Sequence, residues 1–389
     1  MRIAVSLLNF RPGRIGGTET YLRELVANLP LVAGSDEIVL VVDRDLAPQL
    51  RNAGIQLSVV EAGARSVLAQ RFLEATTAYQ ARAITRTFDT LAPDVALFPQ
   101  QVIFPIGVSC PAVVVVHDLY HVRLPENLTY LQRLYRTSIY GPSLARADRV
   151  IAVSEYTRRS LIEHYGMQEF ASRIGMVHHG IRPAVPMDAT SLVADESLGP
   201  FVYYPAVSHP HKNHLQLFRA VARLHSDGAF PYRLLLSGGK TRHWSKLRRE
   251  IQRLDLQQVV EHLGFLPASR VQVLYRTASA VVFPSSYEGF GIPIVEAAAS
   301  GKKIITSDIE AFRELGVPDR FRIDFDDPRA LQRALAHDEP MVLECPVQTW
   351  EQTTRQTLEI VREAGTDAWP IKRNPAFVPR SEAFAAKAA

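Results

Sequence analysis

Two glutamates with seven residues between them, Glu288 and Glu296, bracket the run Gly289, Phe290, Gly291 and Ile292 in PSSYEGFGIPIVEAAASGKKIITSD. Pro293 suits the first turn of a helix, so the loop is expected to become helix there, with Glu288 on the loop and Glu296 inside the helix. The N–H groups of Gly289 to Ile292 then lie at a helix N-terminus, which with the helix dipole forms an anion site. Glycines on either side of an exposed-looking aromatic let a phosphate or a sugar approach the backbone closely. The two carboxylates would reach different parts of one long ligand. Taken singly, either glutamate reads as an ordinary Gly-rich turn or as a carboxylate stabilising a helix start. Only the whole pattern is specific.

A second loop with chemical potential is YYPAVSHPHKNHLQLFRAVARL, where Asn213 reads as the N-cap of an amphipathic helix. Lys212 then sits at the positive end of a helix dipole, an unfavourable place for a cation unless an anion joins it. Lys212 is therefore a candidate diphosphate ligand, with Ser208 in the same loop; a solvated surface lysine is the alternative. His209, His211 and His214 surround Lys212, but no carboxylate or thiolate cluster accompanies them, so they are not read as a metal site. Gly16 and Gly17 in RIGGTETYLRELVANL can present backbone N–H groups to an anion, although the G-x-G-x-x-G spacing of a dinucleotide fingerprint is absent. His117 and Asp118 end the apolar run of VVVVHDLYHVRLPE, where buried strand gives way to a loop. Asp118 suits the satisfaction of turn donors, and Ser154 suits an N-cap. Gly238, Gly239 and Lys240 in LLLSGGK follow another strand and are weaker candidates for facing a nucleotide. Asp324 to Asp326 (DFD) formally match D-x-D, yet they run into Asp327 and Pro328 and read as a helix cap. No metal ligand is assigned.

These residues share one position, the ends of short apolar runs. RIAVSLL, EIVLVVD, VALFP, AVVVVHD and RVIAVSE alternate with helical patterns before residue 160, and FVYYPAV, YRLLLSG, VVEHLGF, ASAVVFP and KKIITSD repeat the alternation after residue 200. Such alternation predicts α/β architecture with two parallel sheets, whose ligands sit beyond the carboxyl ends of the strands. A length of 389 residues fits two domains. The expected boundaries are 1–182, a linker at 183–199, a second domain at 200–346, and a C-terminal helix and tail at 347–389 that can pack back on the first domain. No apolar run reaches the length of a membrane span. The start of the chain reads as a first buried strand rather than a secretion signal. With Cys110 and Cys345 alone, neither a disulfide framework nor a cysteine-rich metal site is available, which suits a reducing cytoplasm. The formal charge of +4 favours anionic partners without choosing among them.

The segment EGFGIPIVEAAASGKKIITSD resembles the E-x7-E motif of retaining GT-B glycosyltransferases of family 4, and PHKNH is similar to the diphosphate-binding lysine region of mannosyl- and rhamnosyltransferase-like members. The resemblance implies two Rossmann-like domains facing across a cleft, with the nucleotide held mainly by the second and the acceptor by the first. It assigns Glu288 to the donor sugar hydroxyls, the Gly289–Phe290–Gly291 backbone to sugar and diphosphate, and Glu296 to the ribose. It assigns His117 to the transferred sugar and the Gly16–Gly17 loop to donor phosphate or acceptor. One departure is plain: Ala206 and Val207 stand where many relatives carry Gly-Arg, so half of the usual cationic clamp is missing or comes from elsewhere.

The implied reaction moves a hexose, mannose favoured, from a nucleoside diphosphate sugar, GDP-mannose favoured, to a hydroxyl of a glycan or lipid-linked glycan. It proceeds with retention, with no required cofactor and no nucleic-acid partner, as in bacterial surface polysaccharide synthesis. Arg133, Arg136, Arg146 and Arg149 interleave with Tyr130, Tyr135 and Tyr140. They form either a core-packed helix with a basic face or a peripheral contact at the cytoplasmic face of the inner membrane. A sugar-nucleotide epimerase or hydrolase, and a catalytically weak sugar-nucleotide-binding protein, are the competing readings.

Overall fold

The computed structural model describes residues 1–8, 10–12, 16–62, 67–77, 81–182, 199–337 and 342–367. The chain divides into two compact units, residues 1–180 with 350–389, and residues 181–349. The expected linker 183–199 lies, apart from Gly199, outside the described residues, as does the tail beyond Asp367.

In the first unit, β1 (Arg2–Ser6), β2 (Glu37–Val42), β3 (Ser58–Glu61), β4 (Val95–Phe98), β5 (Ala112–Val116), β6 (Arg149–Ala152) and β7 (Ile174–Met176) form one sheet in the order β3-β2-β1-β4-β5-β6-β7. The pairings are parallel. VALF and AVVVV are buried at every position, as strands covered by helices on both faces must be. Helix Trp350–Thr366 belongs to this unit. It is tied there by Thr353 Oγ1, which donates to the His178 carbonyl at 2.9 Å. Helix Tyr130–Arg146 opens with a capping box, Thr129 with Gln132. Only its second half reaches the core, through Tyr140, Ser143 and Leu144. Tyr130, Leu131 and Leu134 are 75%, 74% and 55% exposed, so the helix is not packed along its length as a core helix would be.

The second unit carries β8 (Phe201–Pro205), β9 (Arg233–Ser237), β10 (Val260–His262), β11 (Ala280–Phe283), β12 (Ile304–Ser307) and β13 (Arg322–Ile323) in the order β10-β9-β8-β11-β12-β13. All pairings here are parallel as well. The chain runs outward from β8 to β9 and β10, then returns to place β11 on the other side of β8. This reversal leaves a crevice between the loops following β8 and β11, the usual ligand position of an open parallel sheet.

Candidate active site

The two loops that the sequence singled out are the two that flank this crevice. The β8 loop runs into a short 3-10 turn, Pro210–Lys212, before helix His214–Ser226. The β11 loop runs into helix Ile292–Ala299 with Pro293 in its first turn, as expected. Lys212 Nζ donates to Glu288 Oε1 at 2.5 Å, and the two side chains are 18% and 15% exposed. Residues 76 positions apart in sequence thus form a mostly buried ion pair at the switch point.

The pair is held from the backbone side. Tyr204, buried in β8, donates its hydroxyl to the Lys212 carbonyl at 2.6 Å. Burial, then the nearby Glu288 carboxylate, keep that phenol far above its ordinary pKa, so it remains a donor. Ser286 donates its N–H (2.8 Å) and its hydroxyl (3.2 Å) to the His211 carbonyl, joining the β11 loop to the β8 loop. Neither Tyr204 nor Ser286 was visible as a site residue in the sequence, because each acts on a carbonyl that every residue carries.

Glu296 lies inside its helix as expected and accepts from the Tyr275 hydroxyl at 3.3 Å. The N–H of Ile292, the first helical residue, has no intrahelical acceptor. Gly291 adopts φ +115°, where a side chain would be strained and its Cβ would lie 3.3 Å from Leu315. The glycine is therefore required by the turn itself.

Several sequence expectations need correction. Phe290 is not exposed; it is 5% accessible, so only the backbone of Gly289–Phe290–Gly291 could meet a ligand. Asn213 occupies the N-cap position, but in a left-handed conformation at φ +55° its amide turns to Gln216 and caps nothing. Ser208 does not offer its hydroxyl to a ligand. It is fully buried, and its Oγ accepts from the Thr241 N–H at 2.8 Å while Thr241 Oγ1 donates to the Ser208 carbonyl at 2.6 Å. Gly238 has a packing reason to be glycine, since at φ +123° a Cβ would stand 2.8 Å from the Ala206 carbonyl carbon and oxygen. Gly238→Ala should therefore cost roughly 2–3 kcal/mol through strain and overpacking, read as an earlier urea midpoint for the second unit. Lys240 stands 5.0 Å over the Trp244 ring. The rings of His209 and His211 stack at 5.6 Å, and His214 packs on Tyr204 at 4.7 Å. Among the described residues no group of three His, Cys, Asp or Glu is placed to hold a metal ion. At the DFD segment, Asp324 accepts from the Asp326 N–H and Asp327 caps helix Pro328–Ala336 through the Arg329 N–H, the expected capping role.

In the first unit, Gly16 and Gly17 are exposed at the start of helix Gly16–Val32. His117, at the end of β5, is buried, and its Nε2 donates to the Pro99 carbonyl at 2.8 Å. That bond fixes the tautomer and leaves Nδ1 as an acceptor with no hydrogen-bond partner among the described residues. Burial lowers the His117 pKa, so the ring is neutral. His179, which the sequence reading missed, stacks on it at 5.4 Å, while Tyr21 meets its edge at 4.8 Å. Asp118 accepts from the Tyr120 N–H at 3.0 Å and Ser154 caps helix Glu155–Tyr165 through the Thr157 N–H, both as expected.

Comparison with known proteins bears on family and fold. Residues 15–185 match Glycosyltransferase Family 4, and residues 196–337 match Glycosyl transferases group 1. The chain is 26% identical over 228 residues to the O-antigen chain mannosyltransferase RfbU of Salmonella typhimurium, covering 59% of this chain and 61% of that protein. It is 26% identical over 208 residues to O-antigen chain mannosyltransferase B of Escherichia coli, covering 52% and 55%. These matches span rather more than half the length of either relative. In fold, the chain is similar to Anabaena HepE solved with UDP and glucose, with TM-score 0.62, 18% identity, and coverage of 93% and 98%. Two Rossmann-like parallel-sheet units, a Lys–Glu pair at the switch point of the second, and family matches across both units lead to one assignment: the chain belongs to the family 4 glycosyltransferases of GT-B fold.

Proposed function

We propose that this protein transfers a hexosyl unit, mannosyl favoured, from a nucleoside diphosphate sugar to a hydroxyl of a glycan or lipid-linked glycan, with retention at the anomeric carbon. The Lys212–Glu288 pair at the switch point, beside the N-terminus of helix Ile292–Ala299, is the observation that carries the reading. A cation and a helix N-terminus suit a diphosphate, and a carboxylate suits sugar hydroxyls. The names of the relatives, O-antigen chain mannosyltransferases, support mannose and a surface polysaccharide acceptor. HepE with UDP and glucose supports a sugar-nucleotide donor in this fold.

In the proposed reaction the bond from the anomeric carbon to the diphosphate oxygen breaks as the acceptor oxygen bonds to that carbon from the same face. The acceptor proton passes to the departing phosphate oxygen. Lys212 and the Ile292 N–H neutralise the charge that grows on the diphosphate, a role in which no metal is required. Glu296 is assigned to the ribose, and His117, as an acceptor through Nδ1, to a hydroxyl of the transferred sugar. Melting curves with GDP-mannose, UDP-glucose, UDP-N-acetylglucosamine and dTDP-rhamnose test the donor, because a bound donor raises the transition by mass action. GDP-mannose should give the largest rise. A flat response to all four, or release of free sugar from the donor without any acceptor, would remove the transferase reading.

Peripheral contact with the inner membrane is proposed for the face where Tyr130, Leu131 and Leu134 are exposed beside Phe72, whose ring stacks on Tyr135 at 6.0 Å. Among the described residues no helix is long and apolar enough to cross a membrane. The protein should sediment with anionic vesicles at low salt and be released at high salt. Equal recovery with purely zwitterionic vesicles would show that the basic residues take no part.

A further inference from the structure

The two side chains assigned to a bound donor are engaged with each other. Lys212 Nζ and Glu288 Oε1 meet at 2.5 Å in a largely buried setting, where leaving either charge unpaired is costly. Their backbones are poorly placed to move apart. The Lys212 carbonyl is held by Tyr204, the His211 carbonyl is held twice by Ser286, and the left-handed Asn213 closes the turn. Rearrangement on ligand binding is thereby confined to the side chains.

We infer that donor binding is an ion-pair exchange: the diphosphate takes the Lys212 ammonium from Glu288, and the released carboxylate turns to hydroxyls of the donor sugar. The inference rests on the sugar-nucleotide reading above. It gives Glu288 opposite effects on substrate and product. With the sugar attached, the displaced carboxylate gains new donors. With the sugar gone, it gains none and competes with the nucleoside diphosphate for Lys212. Recapture of Lys212 by Glu288 then promotes product release, a step that limits many transferring enzymes.

Calorimetric titration of GDP, UDP and dTDP into the intact chain and its Glu288→Gln and Tyr204→Phe variants tests this directly. Glu288→Gln keeps the shape of the side chain and removes its charge. It should bind the preferred diphosphate about tenfold more tightly than the unmodified protein, the equivalent of one charge-assisted contact no longer opposed. Tyr204→Phe, which frees the Lys212 carbonyl, should shift affinity the other way, weakening it about threefold to tenfold. Glu288→Asp, one methylene shorter, should move in the same direction as Glu288→Gln and guards against a folding defect in the first variant. Equal or weaker diphosphate binding by both Glu288 variants would overturn the exchange while leaving the sugar-nucleotide site standing. No binding of any of the three diphosphates by the unmodified chain would remove the sugar-nucleotide reading itself and the exchange with it.

Discussion

Lys212→Ala is expected to lower the rate of sugar transfer by about 10²–10³-fold at saturating donor, the usual cost of losing one preorganised group that stabilises charge growing in a transition state. The ammonium is mostly withdrawn from water, and its position is set by a turn anchored at two carbonyls, so little reorganisation is needed when the diphosphate departs. Glu288→Ala should cause a comparable loss for a different reason, through the sugar hydroxyls it no longer orients. The two losses are not expected to add. Because the side chains touch, the double variant should turn over no more slowly than the worse single one by more than about tenfold. Initial rates for the three variants check this. Fully multiplicative losses would mean that the two residues act at separate sites.

Acidification is expected to destabilise both units well before their carboxylates titrate. Burial depresses the pKa of His117, that of His121 to about 3, and that of His179 well below its ordinary value, all in the first unit. In the second unit burial, with Lys212 adding to it, lowers His211 to about 2 and His214 to about 3. The sign follows from proton linkage. Above pH 6.5 these rings are neutral in both the folded and the unfolded chain, and stability is fully present. As pH falls below that value the unfolded chain gains protons that the folded chain refuses, and stability is lost. At pH 5.5 a histidine whose folded pKa lies well below that pH removes roughly 1 kcal/mol. His121 in the first unit and His211 and His214 in the second contribute on that scale, and His117 and His179 add in the same direction. Calorimetric melting should therefore fall by on the order of ten degrees between pH 7.5 and 5.5. Melting temperatures flat across that range would show that these rings are protonated in the folded protein.

The sheet centres are legible in the sequence because a strand covered on both faces reads as an apolar run, as AVVVV at β5 and Leu234–Leu236 within β9 do. Edge strands β3, β7 and β13 are not legible. Their burial is partial and β13 spans two residues, so neither a run nor an alternation marks them. The candidate site divides in the same way. Lys212, Glu288 and Glu296 are readable because their charge is conspicuous at loop-to-helix junctions. Ser208 misleads because loop position alone says nothing of depth, and Thr241, which engages it, is 33 residues away. Phe290 misleads for the same reason: glycine neighbours suggest a protruding tip, while the folded loop turns the ring inward. His179 is invisible because its relation to His117 depends on β5 and the segment after β7 converging, which no local pattern encodes.

The most direct test of the central claim, that the crevice between the β8 and β11 loops holds a sugar nucleotide, is a titration of the intact chain and of Lys212→Ala with the sugar nucleotide that raises melting most. Saturable binding at one site per chain, weakened at least about tenfold in the variant, is the predicted result. Equal affinity in the two proteins would contradict it.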